Sequence, residues 1–315
     1  MENNILEIDF VYLWVDGSDP VWRAKRDSFL GISHVDTSVN CEGRYIDNDE
    51  LKYSLRSLEK YAPWIRNIFI VTDNQVPKWL DTSNPKIHIV DHTEILPTES
   101  LPCFSSTLIE HFLWKIPGLS EHFLYGNDDM FLNKPATPAS FFDANGLPIV
   151  RLNRRRFRKL SLLYKEKIKK QKLSYYVQSI KLAANMVEKR HGAYFGGQPH
   201  HNIDAYLKSD YQHTHETFKQ EIDATLGNNV RKSGDIQRSI YSYAPLAKKR
   251  GRVRYINRKE SFKISIHLDI HFTKFKKYTP LFFCLNDTEL ANSNHRNRAT
   301  NFLKKRFPEK SQFEK

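Results

Sequence analysis

The chain has 315 residues, of which 40% are apolar and 13% aromatic, so it can form one large α/β domain or two smaller ones around a packed core. No stretch approaches the ~20 consecutive apolar residues that a membrane span requires, and the polar residues 1–8 predict no N-terminal signal. The three cysteines, Cys41, Cys103 and Cys284, are odd in number and far apart, which argues against a disulfide framework or a zinc site. These features predict a soluble cytosolic protein.

The net charge of +13 is concentrated in one segment of the chain. Residues 151–191 hold 14 Lys or Arg and only 2 Glu, so the rest of the chain is nearly neutral. We therefore expect a basic segment attached to an otherwise neutral domain, with a local purpose for its charge.

The first 150 residues alternate predicted strands with predicted helices. Apolar runs predict strands, and apolar stripes at spacings of three and four predict helices. The strands are expected at 9–15, 68–71, 87–90, 122–125 and 147–152, and the helices at 20–29, 49–61 and 105–114. This alternation predicts an α/β fold with a mostly parallel, Rossmann-like or GT-A-like sheet flanked by helices. The chain has neither a G-x-G-x-x-G fingerprint nor a P-loop.

An acidic pair directly follows the predicted strand at 122–125, in the sequence Gly126-Asn127-Asp128-Asp129. Open α/β sheets bind ligands at the carboxyl ends of their strands, and hard divalent cations prefer carboxylate oxygens. Asp128 and Asp129 are therefore candidates to hold Mg²⁺ or Mn²⁺ against a diphosphate. The alternative is an ordinary short acidic turn.

Further candidate residues stand in predicted loops. Asp16 follows the first strand and is a candidate contact to a ribose or base, with a helix N-cap as the alternative. His200 or His201 is a candidate general base, because an unperturbed imidazole has a pKa of ~6.5. The guanidinium of Arg231 can grip phosphate oxygens at two points, with a surface ion pair as the alternative.

The C-terminal part is predicted to mix helices and short strands. Helices are expected over 208–226 and from a cap at 233–235 through 247, with two or three strands within 252–283. Residues 284–287 are predicted to open a helix over 288–307, whose N-terminus would bind phosphate or help to ligate the metal.

The basic segment is predicted to form a helical hairpin inserted between the two halves of the active site. One apolar stripe runs through residues 173–187 and another through residues 157–168. The plain interpretation is a solvated helix pair packed on the core. The functional interpretation is contact with an anionic surface, either the inner leaflet or a phosphate-linked polymer. Nucleic acid is not expected, since the basic residues are predicted to lie on helices with few aromatic residues between them and no nucleic-acid module is present.

The sequence resembles a known family in four ordered blocks. Arg44–Leu80 closely resembles the second conserved region of the Stealth proteins, bacterial capsule phosphotransferases related to the catalytic subunit of animal N-acetylglucosamine-1-phosphotransferase. The other blocks resemble the first, third and fourth regions: Tyr12–Asp19, then Pro199–Asp204 with Asn229–Arg231, then Cys284–Asp287 through Ser311–Glu314. Most of the chain outside roughly 151–195 is covered.

The resemblance implies a sugar-1-phosphate transferase of the bacterial cytoplasm, with possible peripheral association of residues 151–191 with the inner membrane. It would transfer a hexose- or N-acetylhexosamine-1-phosphate from a UDP-sugar to a hydroxyl of a saccharide or of a phosphate-linked polysaccharide. The reaction would release UMP and form a phosphodiester. It would belong to capsule or exopolysaccharide synthesis. The expected domains are a nucleotide-sugar-binding half at 1–150, the basic insertion at 151–195 and a completing half at 196–315.

The same resemblance implies roles for particular residues. Catalysis is expected from His201, Arg231 and Asp128; metal binding from Asp128, Asp129 and Asp287; and donor binding from Trp14, Asp16, Arg44, Asn48, Glu50, Arg56, Asn74 and Asn286. The alternatives are a metal-dependent glycosyltransferase that releases UDP and a non-catalytic binder of anionic membranes.

Overall fold

The computed structural model describes residues 6–32 and 45–315. Its strands are β1 (Ile8–Leu13), β2 (Ile68–Thr72), β3 (Ile87–Asp91), β4 (His122–Asn127), β5 (Met130–Leu132), β6 (Ile149–Asn153), β7 (Gln198–Pro199), β8 (Asp204–Leu207), β9 (Arg252–Tyr255), β10 (Ser261–Ser265) and β11 (Phe282–Asn286). Its α-helices are α1 (Pro20–Ile32), α2 (Glu50–Tyr61), α3 (His92–Ile95), α4 (Ser106–Ile109), α5 (Arg158–Leu163), α6 (Tyr175–His191), α7 (Lys208–Thr217), α8 (Lys219–Asp223), α9 (Ile240–Ala247), α10 (Asp269–Tyr278) and α11 (Ser293–Arg306).

The main sheet has five strands in the order β3-β2-β1-β4-β8. All neighbours are parallel except β4 and β8, which run antiparallel. Alternate residues of β1 enter two separate cores: Val11 packs with residues of α6 and α9, whereas Phe10 packs with residues of α2. Helices therefore cover both faces of the sheet, and the predicted α/β fold with a mostly parallel sheet is confirmed.

Two smaller sheets join distant parts of the chain to this core. In the first, of order β10-β11-β5, β11 runs antiparallel to β5, the strand that directly follows the acidic pair. In the second, of order β7-β6-β9, the short strand β7 leads into the two histidines. Both sheets thus bring C-terminal residues to the edge where the acidic pair lies.

The structure corrects the predicted C-terminal helix. Residues 284–286 belong to β11, and α11 begins at Ser293 with Asn292 as its N-cap. The apolar run at 282–286 is paired on both sides, by β10 and by β5, which a local pattern does not reveal. Asp287 is therefore not at a helix N-terminus. It lies in the loop before α11, paired with Arg296 at 2.7 Å.

Further helix predictions differ from the structure. The helix expected at 105–114 is α-helical only over Ser106–Ile109, and the helix expected over 208–226 is divided into α7 and α8. The helix expected from residue 235 begins only at Ile240, because the Asp235 carboxylate accepts hydrogen bonds from the Lys232 amide and the Tyr175 hydroxyl and holds an irregular turn. Sequence analysis also missed α10, which packs against β11 through Phe275 and Phe283.

The basic segment contains two helices of different character. Helix α5 continues into a π-turn at Tyr164–Ile168 and is largely exposed, with Leu162 as its buried residue. Helix α6 buries Ile180, Ala184 and Val187 in the core. Within residues 6–32 and 45–315, no helix has the length and apolar character needed to cross a bilayer.

Candidate active site

Two cavities meet at the carboxyl ends of β1 and β4. The larger has a volume of about 460 Å³ and is lined by His201, Lys263 and Asn286 among others. The smaller has a volume of about 120 Å³ and is lined by Trp14 and Asp128 among others. Asn127, Ser106 and Arg231 line both cavities, so the two form one continuous candidate site.

The acidic turn after β4 lies at this junction. Burial, the neighbouring Asp129 and then Glu50 raise the pKa of Asp128 well above its ordinary value. Burial also raises the pKa of Asp129 to about 6. Because both carboxyls are costly to ionise together, the turn is suited to a bound cation that would compensate their charge.

The loop before α2 adds two more carboxyls to this acidic region. Burial is the main cause that raises the pKa of Glu50 to about 7 and that of Asp47 to about 6. The Glu50 carboxylate accepts two hydrogen bonds from Asn48, one from the backbone amide at 2.6 Å and one from the side-chain amide at 2.9 Å. Asn48 therefore orients Glu50, and the cap of α2 is Asp49, which makes no side-chain cap bond.

The two adjacent histidines have different surroundings. His200 is buried, and its ring nitrogens contact Ser261 Oγ at 3.2 Å and Asp204 Oδ1 at 3.1 Å. His201 is partly buried and lines the larger cavity. Burial, followed by the charge of Lys263, lowers the pKa of His201 to about 3, so its imidazole is neutral at neutral pH. Both histidines thus line the larger cavity, and His200 is in addition held by Ser261 and Asp204.

Asp129, His201 and Cys284 converge at one point. Their potential ligand atoms lie within 4.8 Å of one another. Cys284 Sγ donates to Asp129 Oδ2 at 3.1 Å, and burial raises the pKa of its thiol, which therefore stays protonated. Asp129 Oδ1 is buried and has no hydrogen-bond partner among the described residues. An unsatisfied carboxylate oxygen fits a hard divalent cation, whereas a protonated thiol does not favour one.

Arg231 is positioned by contacts between its loop and residues 102–106. The Asn229 side chain donates to the Pro102 carbonyl at 2.9 Å, and the Phe104 amide donates to the Asn229 carbonyl at 2.7 Å. Arg231 itself donates to Ser106 Oγ at 2.6 Å. Its guanidinium is therefore held at the junction of the two cavities.

A buried charge network supports the histidine loop from behind. Arg238 pairs with Glu110 at 3.0 Å and with Asp204 at 2.6 Å, and Asp204 contacts His200. The Tyr125 hydroxyl lies 2.8 Å from both Glu110 Oε1 and Asn127 Oδ1. The network thus connects the acidic turn after β4 to the histidine loop after β7.

The smaller cavity has aromatic walls, formed by Trp14, Trp22, Tyr45 and Phe104. Gly17 donates to the Tyr45 carbonyl at 2.8 Å, and a Cβ at residue 17 would overlap that oxygen, so only glycine allows this approach. His92 Nδ1 is buried without a hydrogen-bond partner among the described residues. A flat ligand with polar edges would match such walls.

Several residues named from the sequence line neither cavity. Asn48, Glu50 and Asp129 belong to the acidic region around Asp128, and the others are held by contacts elsewhere. Arg56 is paired with Glu314, and Asp287 with Arg296. Asn74 is exposed, with a positive φ of 53°, and its amide donates to Asp91 Oδ2 at 2.6 Å. Asp16 forms a turn in which its carboxylate accepts from Ser18, and its backbone is tied to Gln75. Arg44 lies outside the described residues.

Sequence reasoning missed several residues that line or support the cavities. Cys284 and Lys263 reach the site because β11 lies between β10 and β5. The lysine within the apolar strand sequence of β10 was a usable signal, since a charged residue there must face solvent or a cavity. Arg238 and Glu110 had no comparable signal among the many charged residues of the chain.

Fold and site together define an α/β protein with a two-part cleft, whose acidic turn, imidazole and guanidinium suit a phosphate-bearing ligand and a cation. Comparison with known proteins agrees with this class. Stealth protein conserved region 1 matches residues 7–34, and Stealth protein conserved region 2 matches residues 44–150. A capsular polysaccharide phosphotransferase of Haemophilus influenzae is 32% identical over 308 residues, which are 94% of this chain and 82% of that relative. The chain belongs to the Stealth family, as its sequence predicted.

Other relatives match over a shorter region. An exopolysaccharide phosphotransferase of Streptomyces coelicolor is 54% identical over 141 residues, 44% of this chain and 24% of that relative. A receptor polysaccharide phosphotransferase of Streptococcus oralis is 48% identical over 145 residues, 45% of this chain and 43% of that relative. The matched regions thus span less than half the length of these two relatives.

Among solved structures, an active-site mutant of LgtC aligns over 96% of this chain and 98% of its own, with a TM-score of 0.45 and 12% identity. The α/β assignment rests on the strand order itself.

Proposed function

We propose that this chain transfers a sugar-1-phosphate from a UDP-sugar to a hydroxyl of a saccharide acceptor and releases UMP, in the synthesis of a bacterial capsule or exopolysaccharide. The observation that carries the proposal is that Asp128, His201 and Arg231 line one two-part cleft, with Asp129 next to His201. The names of the relatives, which include capsular and exopolysaccharide phosphotransferases, support the same direction.

The donor would occupy the junction of the two cavities. The uridine would lie in the smaller cavity against Trp14 and Tyr45, and the sugar in the larger one near Asn286. Arg231, which lines both cavities, would then contact the diphosphate between them. Residues 1–150 would hold the nucleotide, and residues 196–315 would complete the site.

Asp128 and Asp129 would hold a divalent cation, Mg²⁺ or Mn²⁺, which when bound would offset negative charge on the diphosphate. Asp287 is a weaker candidate ligand, because Arg296 already occupies its carboxylate. Glu50 and Asp47 would complete the acidic surroundings of this position.

In the transfer itself, the acceptor oxygen attacks the β-phosphorus, and the bond from that phosphorus to the oxygen bridging to the α-phosphorus breaks. The acceptor proton goes to an imidazole nitrogen of His201, and UMP leaves with the bridging oxygen. A general base works best with a pKa near the working pH, so the anionic donor must raise the pKa of His201 from about 3. Arg231 would stabilise charge that develops on the phosphoryl oxygens.

The product is a phosphodiester, so a growing acceptor becomes polyanionic. We place the reaction in the bacterial cytoplasm at the inner face of the membrane, where the basic residues 151–191 would meet anionic headgroups or the polymer.

The deciding experiment is to incubate the protein with Mg²⁺, a panel of nucleotide-sugars and a short soluble saccharide, and to identify the nucleotide released. We expect UMP from a UDP-sugar and a phosphorus nucleus in the product linkage by NMR. The His201→Ala variant is the negative control, because it removes the proposed base and leaves the rest of the cleft unchanged. Release of UDP with a product that lacks phosphorus would instead establish a glycosyltransferase and overturn the proposal.

A further inference from the structure

The exposed side of α5 and its π-turn carries large apolar side chains. Phe157 is 77% exposed and Ile168 is 68% exposed, and Leu160 and Tyr164 are also exposed. Phe157 is the N-cap of α5, Leu160 lies in its first turn, and Tyr164 and Ile168 are the two ends of the π-turn, so the four exposed side chains follow one continuous segment, whereas Leu162 is buried. Contiguous exposed apolar surface of this kind marks an interaction site more often than scattered single residues do.

Basic residues surround this apolar stripe. Residues 154–172 contain ten Lys or Arg and one Glu. The exposed members of this set are Arg154, Arg155, Arg156, Lys159, Lys167, Lys169, Lys170 and Lys172. Arg154 also lies over the ring of Tyr255, which is exposed on the edge strand β9 and extends the surface. The result is an apolar stripe within a cationic rim.

We infer that this surface docks on an anionic lipid bilayer, with Phe157, Leu160, Tyr164 and Ile168 inserted at the headgroup boundary. Charge complementarity alone would fit any polyanion, including a phosphate-linked polysaccharide. A polysaccharide, however, offers no apolar phase for four large side chains, whereas a bilayer offers both an anionic surface and an acyl boundary. The combination therefore favours the membrane.

The docking surface adjoins the larger cavity. Arg155 belongs to the cationic rim and also lines that cavity, as do Tyr176 and Ser179 of α6. Docking through this surface would bring the cavity rim close to the bilayer, where a saccharide attached to a lipid could reach it. The inference rests on the contact proposed above for residues 151–191 and selects the bilayer as the partner, and lipid binding can be measured separately from transferase turnover.

The test measures flotation of the full chain with two kinds of vesicle, phosphatidylglycerol mixed with phosphatidylethanolamine and pure phosphatidylcholine. The variant Phe157→Ser with Ile168→Ser removes two inserted side chains and keeps every charge. The matched control is Val21→Ser with Leu290→Ser, because these residues are 79% and 66% exposed and lie outside the docking surface.

We expect the wild type and the control to bind only the anionic vesicles, and the test variant to bind them at least about tenfold more weakly. A Phe157→Trp variant should also show a blue shift of its added fluorescence on those vesicles. Equal binding by the test variant and the wild type, or binding of soluble polyphosphate as strong as that of vesicles, would overturn the inference in favour of a polyanion partner. Turnover with the short soluble acceptor, assayed in parallel, should be the same in the test variant and the wild type. If neither the wild type nor any variant shows turnover, that result counts against the proposed function and not against lipid binding.

Discussion

Arg56 and Glu314 are 258 positions apart in the chain and form a two-point ion pair, with Nε–Oε1 and Nη2–Oε2 distances of 2.7 Å each. Both side chains are largely buried, and Arg56 also donates to the Phe307 carbonyl at 2.8 Å. The pair fixes the C-terminal end of the chain against α2. It gives Arg56 a structural position in place of the donor contact expected from its sequence.

Replacing Arg56 by Met should therefore lower the free energy of unfolding by about 3 kcal/mol, because Glu314 would keep a buried, unpaired charge. Urea denaturation followed by circular dichroism measures the change. Lys219→Met is the matched control, since its pair with Asp223 is exposed and such pairs contribute little. Wild-type stability combined with a large rise in the KM for the donor would return Arg56 to the donor site.

Local patterns were sufficient to predict the four parallel strands β1 to β4 and the helix α2. The strands β2 and β3 are short apolar runs, each ended by a polar residue, and the helix α2 shows its stripe of Leu51, Leu55 and Leu58 without reference to the rest of the chain. Parallel order follows from the alternation of such elements. The position of Asp128 at the end of a central strand could be predicted from the same local patterns.

Nonlocal pairing explains what the sequence could not show. Cys284 meets Asp129 across 155 positions because β11 pairs with β5, and nothing in the run at 282–286 specifies that partner. A short apolar run of this kind is equally compatible with a strand and with the start of a helix, so the local pattern at 284–287 predicts the wrong element. The burial of His200 instead of His201 likewise depends on contacts with Asp204 and Ser261.

Substitution of the two histidines should affect different properties, activity for His201 and stability for His200. His201→Ala should lower kcat by roughly 10²–10⁴, the range for loss of a general base, with little change in stability. His200→Ala should lower the free energy of unfolding by about 1–3 kcal/mol, because Asp204 and Ser261 lose a buried partner. Steady-state kinetics and urea denaturation of both variants check this. Near-wild-type turnover of His201→Ala would remove that residue from the base role.

The acidic region should make stability depend on pH and on divalent cations. Burial raises the carboxyl pKa values to about 6 for Asp129 and Asp47 and about 7 for Glu50. The folded chain therefore holds more protons than the unfolded chain between about pH 4 and pH 7, so these groups make the free energy of unfolding fall as the pH rises through that window. A cation that binds the ionised carboxyls should restore stability at the upper end of this pH window.

We expect saturating Mg²⁺ or Mn²⁺ to raise Tm by about 5 °C near pH 7.5, and by much less near pH 5, where protons compete for the same carboxyls. Differential scanning fluorimetry with and without EDTA measures the shift. Asp129→Asn should abolish it, while Asp27→Asn, on the exposed surface of α1, should leave it intact. An equal shift in wild type and Asp129→Asn would place the cation elsewhere.

Arg231 should be sensitive to a substitution that keeps its charge. The guanidinium lines both cavities and donates to Ser106, and in the proposed complex it would contact two phosphate oxygens at once, which an ammonium group cannot do in the same way. Arg231→Lys should therefore lower kcat/KM for the UDP-sugar by roughly 10²–10³, with most of the loss in kcat if the contact strengthens as charge develops on the phosphoryl group. Arg190→Lys, on an exposed helix end, is the matched control and should change neither parameter. A loss confined to KM would mean that Arg231 binds the donor without stabilising the transfer, and no loss would place the diphosphate away from the junction of the two cavities.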